Sequence, residues 1–350
     1  MCGIYGFAKQ EQLMTSLERH KLRGMVMDLA YQNQARGRDG TGLALLSRTG
    51  SVVFKEATPS SELLKTERFQ KVIRMITEST QICLGHTRLA TIGSVKNRHC
   101  HPFQTDDYFG VHNGHFMNRE ELLKEYQKTT NTPVDSEAIF RVLDGESRTG
   151  GIVSKLSKME GDFALGFARK SAPHVLYLVH NSERPLHVAY VTKLKTLFWS
   201  SDGDHLKYAL VRNHLKASVW EIKTDHLYTA DVRNFNGRSN MKKTVCKMES
   251  YAWEQNTLWD EDDFHPDREP RLFSYEELDG FGCFQNSGLD ERSKIPCAQC
   301  RETSEAGKLF YEEMSGQFLC EDCSFDYVYN FEERRNKTRE EEELHQLEVI

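Results

Sequence analysis

Eight short runs rich in β-branched and aromatic residues, several closed by Gly or Asn, fill the chain from Gly3 to about Val232. They are GIYGFA, TGLALLS, QICLGHTRLA, YFGVHNGHF, DFALGFA, VLYLVH, HVAYV and LFWSS. Runs of this length and make-up read as strands. Between them, apolar positions recur at helical spacing over roughly 11–33, 60–77, 119–128, 135–143 and 204–213. A sheet has an apolar face that must be covered, so this interleaving predicts layered sheets flanked by helices, an α+β architecture. Asp135 stands where a helix N-cap is expected, with Ala138, Ile139 and Val142 following on one face.

A chain of 350 residues has room for one large domain and a smaller module. We read residues 2–232 as the large domain. Residues 233–293 are acidic, aromatic and broken by Pro, which suits either an extended linker or an irregular strap, with Trp253 and Trp259 as anchors. Residues 294–327 form a Cys-rich module, and 328–350 carry charge blocks at the spacing of a solvated helix. No internal repeat stands out. No apolar run reaches the length of about 18 residues that a membrane span needs, and the start lacks a signal-peptide pattern. The net charge of -6 makes no electrostatic case for nucleic acid as a partner. Nine Cys fit no tidy disulfide framework, so a reducing cytoplasmic compartment is expected.

Four of those cysteines fall in a metal-type pattern. Cys297 and Cys300 lie two residues apart, as do Cys320 and Cys323, with 19 residues between the pairs. Four thiolates at this spacing make a closed tetrahedral Zn2+ site, structural because no position stays open for substrate. So small a module has too little core to fold alone, and the metal supplies the missing stabilisation. Phe310, Tyr311 and Phe318 read as a small hairpin between the two pairs. Two disulfides or four free thiols are the alternatives. His99, Cys100 and His101, near His86, His112 and His115, also invite a metal reading. Strand alternation sends neighbouring side chains to opposite faces, so no metal is expected there.

The chemistry begins at Met1-Cys2-Gly3-Ile4. Once Met1 is trimmed, one residue carries both a thiol nucleophile and a free α-amino group able to act as its base. An incidental Cys or a palmitoylation site is the bland alternative. Behind Cys2 come RGRDGTG at 36–42, GHTRLATIG at 85–93, HNGHFMN at 112–118 and VDSEA at 134–138. In this order the motifs resemble the glutamine amidotransferase domain of the N-terminal-Cys (class II) kind, one of the N-terminal nucleophile (Ntn) hydrolases, over roughly residues 2–215. The resemblance implies a four-layer αββα sandwich.

It also implies roles. Cys2 attacks the side-chain amide of L-glutamine, and Asn113 and Gly114 hold the oxyanion. Arg88 clamps the substrate carboxylate, Asp135 receives its ammonium group, and Thr91 contacts the same end. Arg36 and Gly37 support the nucleophile's surroundings. Taken singly, Arg88 could instead pair with a structural carboxylate and Asp135 could be only a cap. Leu89 stands where better-known members carry Trp or Tyr, and Ile92 where sugar-phosphate synthases have His. No Ser-Gly-Gly-x-Asp-Ser loop, phosphoribosyltransferase signature or isomerase domain follows. The expectation is a glutaminase subunit that needs no catalytic cofactor and passes ammonia to a separate synthase subunit. A non-catalytic scaffold binding a partner through its zinc ribbon is the alternative.

Overall fold

The computed structural model describes residues 2–181, 184–234 and 241–248, together with four short strands between Lys294 and Leu319. The chain divides into two compact units, Met1–Gln255 and Asn256–Ile350.

The first unit is built on two antiparallel sheets. Its strands are β1 (Gly3–Lys9), β2 (Gly40–Ser47), β3 (Gly50–Glu56), β4 (Thr80–Arg88), β5 (Phe103–Gln104), β6 (Tyr108–Phe116) and β7 (Gly161–Arg169). Then follow β8 (Ala172–His180), β9 (His187–Val191), β10 (Thr196–Ser200), β11 (Val219–Glu221), β12 (His226–Asp231) and β13 (Lys242–Val245). One sheet runs β11-β9-β10-β1-β4-β2-β3 and the other β13-β12-β8-β7-β6-β5. The helices are α1 (Ser16–Asn33), α2 (Ser60–Leu63), α3 (Glu67–Arg74), α4 (Arg119–Glu125), α5 (Asp135–Leu143), α6 (Thr149–Leu156) and α7 (Gly203–Arg212).

Alternation along the strands decides the layering. Tyr5 and Phe7 of β1, Leu43 and Leu45 of β2 and Phe198 of β10 pack with α1, α3 and α7. The intervening positions, Ile4, Ala8, Ala44, Leu84, Leu197 and Trp199, turn the other way and meet Phe109, Val111, Ala164, Ala168 and Leu178 of the second sheet. That sheet's opposite face, with Phe163, Leu165, Phe167 and Val179, packs on α5 and α6. The order is therefore helix, sheet, sheet, helix.

Small residues let the sheets close. Trp199, fully buried, lies between Gly6 and Gly166, where an added Cβ would meet its ring at 2.8 Å and 2.6 Å respectively. The bulkiest side chain of the inter-sheet core thus fills a hole made by glycine on each side.

Three differences from the sequence reading have physical reasons. Asp135 is the first residue of α5 rather than its cap; Val134 holds the cap position, without a side-chain bond. Helix α6 was absent from the reading because Gly150 and Gly151 signal a break, yet Ile152 and Leu156 bury against the second sheet. The sheet also continues past position 232: β13 pairs with β12, and Cys246 and Met248 join the core.

In the second unit, β14 (Lys294–Pro296) pairs with β15 (Thr303–Glu305), and β16 (Phe310–Glu312) pairs with β17 (Gln317–Leu319). The second pairing sets Tyr311 opposite Phe318, the hairpin expected there. Cys297, Cys300, Cys320 and Cys323, the acidic stretch and the C-terminal segment lie outside the described residues.

Replacing Trp199 with Ala leaves a void that glycines cannot fill, and the expected cost is about 3–5 kcal/mol. Urea unfolding of the variant beside the parent chain measures it; an unchanged midpoint contradicts this packing.

Candidate active site

The position of Cys2, the candidate nucleophile, follows from where β1 sits. This strand is flanked on both sides, with Gly3 opposite Thr87 of β4 and Tyr5 opposite Ser200 of β10. Ser201 completes the grip: its hydroxyl accepts from Ile4 N at 3.0 Å and its N–H donates to Ile4 O at 2.8 Å. Cys2 therefore emerges at the end of a central strand with little freedom. Arg36 Nε donates to Cys2 O at 3.0 Å, and Leu89 N donates to Cys2 Sγ at 3.3 Å.

The RGRDGTG turn braces the neighbouring strand end. A Cβ on Gly37 would fall 2.4 Å from Arg88 C and Leu89 N, so only glycine permits this approach. Asp39 N donates to Arg88 O at 2.8 Å, and Asp39 Oδ2 accepts from Ala90 N at 2.7 Å. Asp39, not singled out in the sequence, thus ties down the backbone that bonds the Cys2 sulfur.

Arg88 closes β4 and is buried. Its Nη1 donates to Ser94 O at 3.1 Å and its Nη2 to Ile92 O at 2.8 Å, so the guanidinium holds the 89–96 loop. No carboxylate pairs with it among the described residues. Thr91 lies exposed in that loop.

On the second sheet, Asn113 points with Phe109 and Val111 into the gap between the sheets. It is 1% exposed, yet its Nδ2 has no hydrogen-bond partner. Buried donors rarely stay unpaired, which makes this orphan a candidate donor for a ligand oxygen. Gly114 has φ +146°, and a Cβ there would meet Asp162 O at 1.7 Å. Asp135 Oδ2 accepts from Phe116 N at 2.9 Å, and Oδ1 accepts from Ser136 N at 2.9 Å. His112 braces both neighbours: its Nδ1 lies 2.8 Å from Ser136 Oγ, and its Nε2 donates to Asp162 O at 3.4 Å. Arg184 Nη2 bonds Asp162 Oδ2 at 3.1 Å. These supports were invisible in the sequence, because cross-strand register brings them together.

Burial pushes the Cys2 thiol up from its ordinary value. The Leu89 N–H and Arg88 pull it down, whereas Asp135 adds to the rise. A thiol raised in this way is protonated near neutral pH and needs a base beside it. Arg88 and Asp135 thus act on this sulfur with opposite sign.

Beneath the site, the rings of His86 and His101 stack at 3.8 Å. Among the described residues no group of three or more His, Cys, Asp or Glu side chains is arranged to hold a metal ion. Nor is any described helix long and apolar enough to cross a membrane.

The comparisons with known proteins agree with this geometry. The model of the glutamine amidotransferase domain family matches residues 73–252, just over half of the chain. The chain belongs to that family, and specifically carries its class II form. The matched stretch includes Arg88, Thr91, Asn113, Gly114 and Asp135 and begins after Cys2, Arg36 and Gly37. A glutamine–fructose-6-phosphate aminotransferase (isomerizing) of Bacillus cereus is 31% identical over 192 residues, 52% of this chain and 29% of that protein. A 7-cyano-7-deazaguanine synthase of Saccharolobus solfataricus is 24% identical over 207 residues, 57% of this chain and 43% of that protein. The chain thus spans well under half the length of these relatives. Among solved structures, the allosteric regulatory enzyme of purine biosynthesis superposes with a TM-score of 0.53 at 16% identity, covering 71% of this chain and 50% of that one. The glutamine phosphoribosylpyrophosphate amidotransferase of B. subtilis gives 0.51, with the same identity and coverage. These two share the fold.

Burial lowers His86 to about 3 and His112 to about 4, from an ordinary 6.5. The unfolded chain therefore binds these protons first as pH falls. Their stabilising contribution is complete above about pH 6.5 and is lost progressively down to those folded values. Each group costs about 1.4 kcal/mol per pH unit within that window. Denaturation midpoints at pH 7, 6 and 5 should fall accordingly. A flat profile contradicts the buried, neutral histidines.

Proposed function

We propose that the chain is a glutaminase subunit that hydrolyses L-glutamine to glutamate and ammonia through a Cys2 thioester. The observation that carries this reading is the unpaired Asn113 Nδ2, buried beside Gly114 at the end of the sheet gap that holds Cys2. Removal of Met1 exposes the Cys2 amine, which takes the thiol proton as sulfur attacks the substrate's amide carbon. The oxyanion forms against Asn113 Nδ2 and the Gly114 N–H. The same amine returns the proton to the leaving nitrogen, and ammonia departs. Water, deprotonated by that amine, then cleaves the thioester to glutamate and free thiol.

Arg88 and Asp135 receive the substrate's carboxylate and ammonium, with Thr91 in the loop over that end. Arg88 presently bonds Ile92 O and Ser94 O, so carboxylate binding exchanges or adds to bonds that set the loop. Arg36 and Gly37, grouped with the substrate-binding residues, hold the nucleophile's strand end. Ammonia released into water near neutral pH is mostly protonated and unreactive. Transfer to an acceptor therefore calls for a separate synthase docked on this chain, in keeping with the transferase and synthase names of its relatives.

The zinc assignment belongs to the same proposal. The spacing of Cys297, Cys300, Cys320 and Cys323 in the sequence suits Zn2+ held in a structural role outside the reaction.

Glutamate release should disappear in Cys2→Ala, while Asn113→Ala should lower kcat by about 10²–10³. An Asn113→Ala enzyme with parental kcat overturns the oxyanion assignment. Full turnover by the isolated chain, with no synthase recovered in native co-purification, counts against ammonia transfer. Elemental analysis of the full chain should find zinc that Cys297→Ser with Cys320→Ser removes; zinc-free parent protein refutes the ribbon.

A further inference from the structure

The gap between the sheets is open at a second end, remote from Cys2. Gln10 directly follows β1, Gln81 lies near the start of β4, Phe109 near the start of β6, and Lys170 directly follows β7. Site residues occupy the other terminus of each of these strands. At about 3.3 Å per residue, Gln10 lies roughly 25 Å from Cys2.

A cavity of about 820 Å³ occupies this far end. That is within the size range, about 300–1,000 Å³, of sites for small molecules. Its cations come from separate turns: Arg48 from the β2–β3 turn, Lys170 from the β7–β8 turn and Arg233 from the short helical turn Val232–Asn234. Arg48 has Glu11 at 3.9 Å, and Arg233 bonds Asp231 at 2.7 Å. Lys170 has no carboxylate partner among the described residues; its ammonium lies 5.6 Å from the centre of the Phe109 ring. His174 adds a ring whose protonation is disfavoured by burial and by the nearby Arg233 charge.

The inner wall gives an independent sign of a ligand. Gln81 is 4% exposed and lines the cavity, and its Oε1 has no hydrogen-bond partner. A buried carboxamide oxygen of this kind calls for a donor. A phosphate monoester on a hydroxylated skeleton meets both needs: its oxygens suit the ammonium and guanidinium groups, and a hydroxyl can donate to Gln81.

We propose that this far-end cavity binds a small phosphorylated, hydroxyl-bearing molecule, with phosphate at Lys170, Arg48 and Arg233 and a hydroxyl on Gln81. The site is separate from the glutamine site and does not depend on the activity proposed there.

Calorimetric titration of the full chain with inorganic phosphate, ribose 5-phosphate and AMP tests it, each probe adding one part to the one before. Saturable one-to-one binding of ribose 5-phosphate or AMP is expected, weakened about tenfold or more in Lys170→Ala. Gln81→Leu should weaken the hydroxylated probes and spare inorganic phosphate. Hydrogen exchange of the parent chain should show protection of residues 47–51 and 170–174 by the bound ester. AMP bound without ribose 5-phosphate supports the site and assigns it to nucleotides. Three things overturn the proposal: no binding of any probe, inorganic phosphate binding as tightly as both esters, or unchanged affinity in Lys170→Ala.

Discussion

The seating of β1 between β4 and β10 is the constraint on which the site depends. A strand with partners on both edges has its backbone groups paired, so its first residues cannot wander. The Ser201 bonds to Ile4 add to that restraint two residues from Cys2. A short reactive side chain on a mobile terminus would lose most encounters to entropy. Here the sheet meets that cost during folding.

The second sheet contributes the complementary half. Alternation that sends Phe109 and Val111 into the inter-sheet core also sends Asn113 toward it at the end where Cys2 lies. Close approach of the sheets, made possible by Gly6 and Gly166 around Trp199, sets how near the two halves lie. Packing deep in the sandwich and geometry at its end are thus one problem. The buried His86, His101 and His112 show the cost of a polar site inside such a core, since all three are held neutral by burial.

Much of this was legible in the sequence because it is local. Strand runs announce themselves by composition, and the helices over 16–33, 135–143 and 203–212 by spacing. Layered sheets flanked by helices were expected from the interleaving, and the specific four-layer order from the family resemblance. Strand β3 was missed because its positions are half-buried or exposed, which dilutes the apolar signal. Strand β13, KKTV, was absorbed into a charged stretch that looked like linker. Within the site, the motif residues could be named, but their supports could not. Asp39 reaches Ala90 and Gly37 presses on Arg88 because β2 and β4 are neighbours, a relation between residues some fifty positions apart. The bond of Asp135 to Phe116 N likewise replaces the capping role that its position suggested.

The central claim is that Cys2 is a nucleophile with its own amine, facing a pocket for a free amino acid. Intact-protein mass spectrometry after exposure to a glutamine-like diazo-ketone tests this most directly. The account predicts a chain lacking Met1 that gains one label on Cys2, with glutamine protecting it and Cys2→Ala abolishing it. Labelling that ignores glutamine, or a fully active chain that still carries Met1, would contradict it.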